Sequence, residues 1–402
     1  MNIFLIVLKS LRQHALSTAI TASSIALAGG LLMAVWVVKE QSHQAFTQNN
    51  AGFDAVLGAR GSKLQLVLNS IFHVEESPGN MQWNDYVEIR DNPNVEVAVA
   101  IAVGDNYRGY RLVGVTSNLF TQVEYKPGKR FEVGAPGRLF DPELREAVVG
   151  SFAAERLRLR YGDTFHPFHG LNFNEKEQHP ETYVVVGILK PSNTPADRVI
   201  WIPLEGIQKM SGHNERTAED VSAALVKLKG SGQAGFRLDL LYNKQGNRLT
   251  FAWPVGRIMA QMFDKISWFD RVLTLVSYLV ALVAAGSILA SIYSSMNDRK
   301  RDIAILRALG ARRLRVFSMI VLEATTIAAL GMAAGFLVYG GITFAAAELM
   351  RAQTGVVLSP LSFNRVMLWA PAGMIGLAAL AGLVPAFKAY RTPVAENLTP
   401  LS

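Results

Sequence analysis

Four long runs of uncharged residues divide the chain into alternating apolar and polar parts. The runs cover residues 15–38, 272–296, 316–347 and 366–387, and Glu323 is the one charge within them. About 20 apolar residues are needed to cross the hydrocarbon core of a bilayer, so each run is long enough to span it as a helix. A cleaved signal peptide is the alternative for the first run, but the apolar core of such a signal is usually about 7–15 residues long, which favours a retained anchor.

The stretch between the first two runs has the composition of a water-soluble domain. It carries most of the acids, prolines and histidines of the chain, and it is large enough to bury its own core, as one body or as two subdomains. Runs 95–103 and 107–115 predict a hairpin around residues 104–106. We expect further strands at 183–189, 199–202 and 223–229, and helices at 143–159 and 204–210. This order of elements predicts an α+β domain.

The basic residues fix the orientation of the predicted helices. Lys9 and Arg12 precede the first run, seven Lys and Arg residues lie within 296–315, and Lys388 and Arg391 follow the last run. Positive residues favour the cytoplasmic side, which leaves the large domain outside. The resulting division is an N-terminal cytoplasmic helix (1–16), transmembrane helix 1 (17–39), a periplasmic α+β domain (40–267), transmembrane helix 2 (268–296), a cytoplasmic coupling segment (297–315), transmembrane helix 3 (316–347), a short periplasmic loop (348–364), transmembrane helix 4 (365–387) and a cytoplasmic tail (388–402).

Composition excludes several functional classes. The net charge of +8 could indicate nucleic acid, but much of the basic excess lies beside apolar runs, where it sets membrane orientation, so we expect no nucleic-acid partner. The chain has no cysteine, which excludes disulfides, zinc-thiolate sites and thiol nucleophiles. Residues 58–63 contain glycines and a lysine without the spacing of a phosphate-binding loop, and neither a G-x-S-x-G nor an H-E-x-x-H motif occurs. We therefore do not expect an enzyme.

The coupling segment combines positive charge with apolar residues at near-helical spacing. Ile303, Leu306 and Leu309 recur between its arginines, and Gly310 supplies a helix stop. Such an amphipathic helix between two spans either lies on anionic lipid or docks against another protein.

Two further patterns mark candidate sites. Gly331 and Gly335 form a G-x-x-x-G motif in the third run, which indicates a tight helix pair, although glycine is also simply common in membrane helices. Glu323, in the same run, is a candidate functional residue because a carboxylate within a span is costly, but its position near the basic segment favours pairing with Arg315 or contact with the membrane interface.

Three histidines lie close together in the soluble domain. His166, His169 and His179 are weak candidates for a metal site, with Glu175 and Glu177 between them. Pro167 disfavours a regular helix here, and a solvated polar loop is the alternative.

Residues 297–311 resemble the signature between the second and third spans of the FtsX/MacB-like ABC transporter permeases, in which charged residues precede an Ile-Ala-x-Leu-Arg-Ala-Leu-Gly run. Residues 8–20 and 384–398 are similar to the segments that flank the first and last spans in that family. Residues 147–164 and 183–189 are similar to its extracytoplasmic domain.

The resemblance implies a half-transporter that forms a homodimer and pairs with a separate cytoplasmic ABC ATPase. ATP and Mg²⁺ would bind that partner, and this chain would hold no cofactor. Ile303, Leu306 and Leu309 would fill a groove on the ATPase, while arginines pair with acids at its rim. The coupling residues implied by the resemblance are Asn297, Asp298, Arg299, Arg301, Asp302, Ile303, Leu306, Arg307, Leu309 and Gly310.

We expect an inner-membrane permease subunit that converts ATP hydrolysis into a conformational change of its periplasmic domain (mechanotransmission). Efflux, extraction of lipoproteins or lipids, and control of cell-wall hydrolases are the candidate processes, with a periplasmic protein and membrane lipid as further partners. One alternative is a membrane-anchored periplasmic sensor without an ATPase. Another is a metal-linked ABC system that uses the loop of His166, His169 and His179. A sensor has little need for a basic helix between its second and third spans.

Overall fold

A computed structural model describes residues 3–48, 50–212, 219–230, 232–298, 307 and 311–391. The helices, in chain order, are α1 (Ile3–Gln13), α2 (Ala15–Gln48), α3 (Lys63–Ser70), α4 (Trp83–Arg90), α5 (Asn118–Thr121), α6 (Ser151–Leu157), α7 (Leu204–Gln208), α8 (Gln233–Asp239), α9 (Val255–Asp298), α10 (Arg313–Thr354) and α11 (Val366–Arg391). The strands are β1 (Ala55–Ala59), β2 (Val95–Tyr107), β3 (Tyr110–Val115), β4 (Glu124–Lys126), β5 (Lys129–Arg130), β6 (Glu146–Val149), β7 (Thr164–Phe165), β8 (Phe168–His169), β9 (Tyr183–Ile188), β10 (Ile200–Pro203), β11 (Ala223–Leu228) and β12 (Leu249–Ala252).

The chain forms two compact units. One comprises residues up to 41, 267–347 and those from 359 onward, and the other comprises 42–266 and 348–358. Helices α2, α9 and α10 each contribute residues to both units. We call the first the helical unit and the second the sheet unit.

The helical unit is built from long apolar helices. Within the described residues, Ala15–Gln48, Arg271–Ala290, Arg313–Thr354 and Val366–Lys388 have the length and composition of membrane spans. Their contacts bury a core that mixes small and large apolar side chains, including Ile25, Ala28, Met33, Ala324 and Ala328. The expectation of four apolar helices is thereby confirmed.

The sheet unit is organised around one mixed sheet, in the order β12-β1-β11-β2-β3-β10-β6-β9-β7, with β8 paired to β2. Most neighbours are antiparallel, whereas β10 runs parallel to β3 and β6 runs parallel to β9. Alternate residues of β2 enter different apolar clusters, Ala98 and Ala100 on one side and Val99 and Ile101 on the other. Successive side chains of a strand point to opposite faces, so this sheet is buried on both. The prediction of a mixed α and β domain is confirmed.

Two local predictions are wrong. The hairpin turns at Arg108 and Gly109, both with positive φ (49° and 84°), and not at residues 104–106. A register shift between Val103 and Asp105 lets the ladder continue past those residues. The helix predicted for 143–159 is instead β6 followed by α6. Pairing with β10 and β9 draws residues 146–149 into the sheet, an interaction that overrides local helical spacing.

The long helices also extend beyond their predicted bounds. Helix α9 begins at Val255, before residue 268, and α10 continues to Thr354, past residue 347. The segment predicted as a loop over 348–364 is therefore helical at its start. Because the sheet unit includes residues 348–358, the end of α10 belongs to that unit.

Candidate functional site

The coupling segment lies largely outside the described residues. That part includes Arg299, Arg301, Asp302, Ile303, Leu306, Leu309 and Gly310. Asn297 and Asp298 are the last residues of α9, and Arg307 is helical and half-buried. The ridge predicted for Ile303, Leu306 and Leu309 stays a prediction.

The glycine motif of the third apolar run lies against the first long helix. A Cβ atom added at Gly331 would lie 2.7 Å from Cβ of Ile25 and 2.9 Å from the carbonyl oxygen of Ala22. One added at Gly335 would lie 3.2 Å from the carbonyl oxygen of Ala26. The absence of side chains at these two positions lets the backbones of α2 and α10 approach closely.

Glu323 has a partner that the sequence does not suggest. Its side chain is buried, and the hydroxyl of Ser10 in α1 donates a hydrogen bond to its carboxylate. This contact joins the short N-terminal helix to α10 within the helical unit. A buried carboxylate needs such donors, because its transfer from water is costly otherwise.

The end of α10 packs on helix α6 within the sheet unit. Arg351 lies with its guanidinium carbon 4.8 Å from the centre of the Phe152 ring and a nitrogen 3.7 Å from a carboxylate oxygen of Glu155. Glu348 forms an ion pair with Arg156. After the helix, Val356 is fully buried in the apolar core of the same unit. We call residues 348–358 the docking segment.

Two of the three candidate histidines meet at a third residue, Asp105. The pairing of β8 with β2 places His169 opposite Asp105, and the backbone N–H of His179 donates to the carbonyl oxygen of Pro167 at 2.9 Å. The Asp105 Oδ1 atom lies 3.4 Å from His169 Nδ1 and 3.2 Å from His179 Nε2. Asp105 and His179 are buried, and His169 is half-exposed.

His166 does not join this cluster. Its Nδ1 atom lies 3.1 Å from the carbonyl oxygen of Glu181. Among the described residues, a metal-ligand set of three or more His, Asp or Glu side chains occurs at Asp105, His169 and His179. The sequence candidates thus include two members of the set and miss Asp105, whose register opposite His169 depends on a strand pairing between distant segments.

Polar groups next to the cluster are fixed by hydrogen bonds. The side-chain amide of Asn106 donates to the carbonyl oxygen of Gly170 at 2.9 Å, which holds the loop after β8. Glu181 accepts bonds from the hydroxyl and the amide of Ser211 at 2.6 and 3.0 Å. Burial acts to raise the pKa of Glu181, but these bonds outweigh it and lower the pKa overall.

A separate histidine lies in the core of the sheet unit. His73 is buried edge-on to Trp201, with ring centroids 5.6 Å apart, and has a φ of 55°. Burial, assisted by the positive charges of Arg111 and Arg198, lowers the pKa of His73 to about 3. The ring is therefore neutral at physiological pH and serves packing.

The described residues thus combine four helices that are long and apolar enough to cross a membrane with a mixed-sheet domain. Residues 274–394 match the family model of the FtsX-like permease C-terminal domain. This match confirms the resemblance to the FtsX/MacB-like permeases.

A solved structure similar to this chain is that of the periplasmic region of MacB from Actinobacillus actinomycetemcomitans. The two share 10% sequence identity with a TM-score of 0.36, over 54% of this chain and 96% of that one. No curated protein matches the chain.

Proposed function

We propose that this chain is the permease subunit of an ABC transporter, which converts ATP hydrolysis by a separate ATPase into a conformational change of the sheet unit outside the membrane. The match of residues 274–394 to the FtsX-like permease domain carries this proposal. That region contains the coupling segment together with most of the apolar helices of the second half of the chain.

The continuity of the long helices supports a mechanical role. Helices α2, α9 and α10 each run through residues of both units. The continuous backbone of each helix would therefore transmit its displacement directly to the sheet unit. In the docking segment, Arg351 and Val356 also pack against other residues of the sheet unit, which strengthens this connection. A helix is a rigid element, and rigid elements with two arrangements are what transmit a conformational change between distant sites.

The coupling segment is the proposed point of ATPase contact. Ile303, Leu306 and Leu309 would insert into a groove of the ATPase, and the arginines would pair with acids around it. In this arrangement ATP and Mg²⁺ remain in the partner. Binding of the segment to anionic lipid is the competing arrangement.

The four apolar helices support a location in a membrane. We propose that this is the inner membrane, with the sheet unit in the periplasm and a second copy of the chain as partner. Such a permease subunit fits efflux, extraction of lipoproteins or lipids, and control of cell-wall hydrolases. Each of these processes is compatible with a periplasmic partner protein. A sensor without an ATPase would leave the basic coupling segment without a role.

Co-purification with the ATPase tests the proposal. Leu306→Asp with Leu309→Asp should abolish co-purification of an ATPase encoded beside this chain, while the variant still inserts into membranes. The matched control is Leu144→Asp, which replaces an exposed leucine of the sheet unit, outside the apolar helices and the coupling segment, and should leave co-purification intact. Unchanged co-purification of the double variant would contradict the proposed contact.

A further inference from the structure

We propose that Asp105, His169 and His179 form a binding site for a divalent transition metal, with zinc as the first candidate. This inference does not depend on the ATPase, and it adds a ligand to a domain for which the proposed function names only a mechanical role. Two imidazole nitrogens and one carboxylate oxygen are a ligand set that suits zinc, nickel or cobalt.

The distances between the donor atoms match a metal site. Metal–ligand bonds of about 2.0–2.2 Å in tetrahedral geometry place neighbouring ligand atoms about 3.3 Å apart. The two separations from Asp105 Oδ1 are 3.4 Å to His169 Nδ1 and 3.2 Å to His179 Nε2. The contact between His179 Nε2 and Asp105 Oδ1 is also within hydrogen-bond distance, so these two groups are already held together before an ion binds. All three donor atoms lie within 4.8 Å of one another, so one ion can reach them together.

The backbone holds the three ligands in place before any ion binds. Asp105 and His169 are register partners in the β2–β8 pair, and the β2–β3 ladder on the same strand shifts register immediately before Asp105. Bulges of this kind redirect side chains and are frequent beside functional sites. The loop that carries His169 toward His179 is tied down by the Asn106 amide. Ligands fixed on paired strands lose little conformational freedom on binding.

The partial exposure of the cluster allows a bound ion to exchange with solvent. The side chain of Asp105 is fully buried and that of His179 nearly so, whereas 51% of the His169 side chain is exposed. The exposed ligand marks the side from which an ion enters. Three protein ligands leave a fourth position for water or for a donor from another molecule, whereas structural zinc sites close all four positions with protein ligands. We therefore infer reversible binding at the surface of the sheet unit.

Zinc binding by the purified full chain tests the inference. The chain would be prepared in detergent with a histidine-free tag, stripped with a chelator and titrated with zinc chloride by calorimetry. Cobalt(II) would replace zinc in a parallel titration, because its visible absorption reports tetrahedral coordination. We expect one ion per chain. His169→Ala and Asp105→Asn should each weaken binding by more than about 100-fold, which exceeds the typical loss from removing a supporting group around a metal.

His166→Ala is the matched control, since it removes a nearby histidine outside the cluster, and it should bind as the unmodified chain does. His169 is exposed, so its substitution tests the ligand with little risk to the fold, which near-ultraviolet circular dichroism would verify. Failure of the unmodified chain to bind zinc or cobalt would overturn the inference. Binding that survives in both His169→Ala and Asp105→Asn would overturn it as well. Neither result bears on co-purification with the ATPase.

Discussion

The guanidinium of Arg351, in the last turn of α10, lies 4.8 Å from the centre of the Phe152 ring in α6. Arg156 approaches the same ring at 5.3 Å and pairs with Glu348. Helix α10 therefore ends with two side chains engaged on one short helix of the sheet unit. Under the proposed function, displacement of α10 acts on the sheet unit at this contact.

Arg351→Ala should loosen the docking segment. A cation–π contact contributes about 0.5–2 kcal/mol, so backbone amides of residues 348–358 should exchange hydrogen about 2- to 30-fold faster in the variant. Hydrogen exchange followed by mass spectrometry measures this in the full chain. Arg90→Ala is the matched control, because Arg90 also approaches an aromatic ring, at 5.9 Å from Tyr86, and pairs with Asp91. Unchanged exchange in 348–358 after Arg351→Ala would show that the contact does not hold the segment.

Gly331→Leu should destabilise the helical unit. The new side chain would collide with Ile25 and with the backbone at Ala22, and overpacking of this kind costs about 1–3 kcal/mol. Gly340→Leu makes the same change in the same helix at a position where, among the described residues, nothing lies within 4 Å of the added Cβ. Thermal unfolding in detergent should show a lower midpoint for the Gly331 variant alone. Equal midpoints for the two variants would contradict close packing of α2 and α10.

His73 should make the sheet unit sensitive to acid. The ordinary pKa of histidine is 6.5 and that of the folded His73 is about 3, so between these values the unfolded chain binds a proton that the folded chain excludes. Stability from this residue is present above pH 6.5 and is lost as the pH falls toward 3, by up to about 5 kcal/mol.

His73→Asn should remove that dependence, because asparagine is neutral and tolerates the left-handed backbone found there. Unfolding midpoints of the full chain at pH 7.5 and pH 5 measure the effect, and the loss on acidification should be smaller in the variant. His43→Asn, at an exposed position of α2, serves as control. An equal loss for His73→Asn and the unmodified chain would refute the assignment.

Elements whose sequence patterns are strong and uniform can be predicted from the sequence. Elements that form only by pairing with distant segments of the chain are missed. The apolar runs identify the long helices because every residue of such a run contributes to the pattern. Their ends are harder to predict, since α9 and α10 continue into polar stretches that include Asp264 and Arg351. Hydropathy reports where a membrane could lie and not where the helical backbone stops.

The metal-ligand set, too, is only partly predictable from local sequence patterns. His169 and His179 are close in sequence and draw attention together with His166. Asp105 is separated from them by many residues and becomes a neighbour only through the pairing of β8 with β2. The conformation of a two-residue strand is decided by its partner strand, which no local periodicity reveals.

The central claim is that ATP hydrolysis reshapes the sheet unit through the long helices. Hydrogen exchange of the full chain in complex with its ATPase, with and without ATP and vanadate, tests it most directly. We predict that trapping the ATPase changes exchange in the docking segment and in the strands of the sheet unit, and that Leu306→Asp with Leu309→Asp removes both changes. A complex that hydrolyses ATP while exchange throughout residues 42–266 and 348–358 stays the same would contradict it.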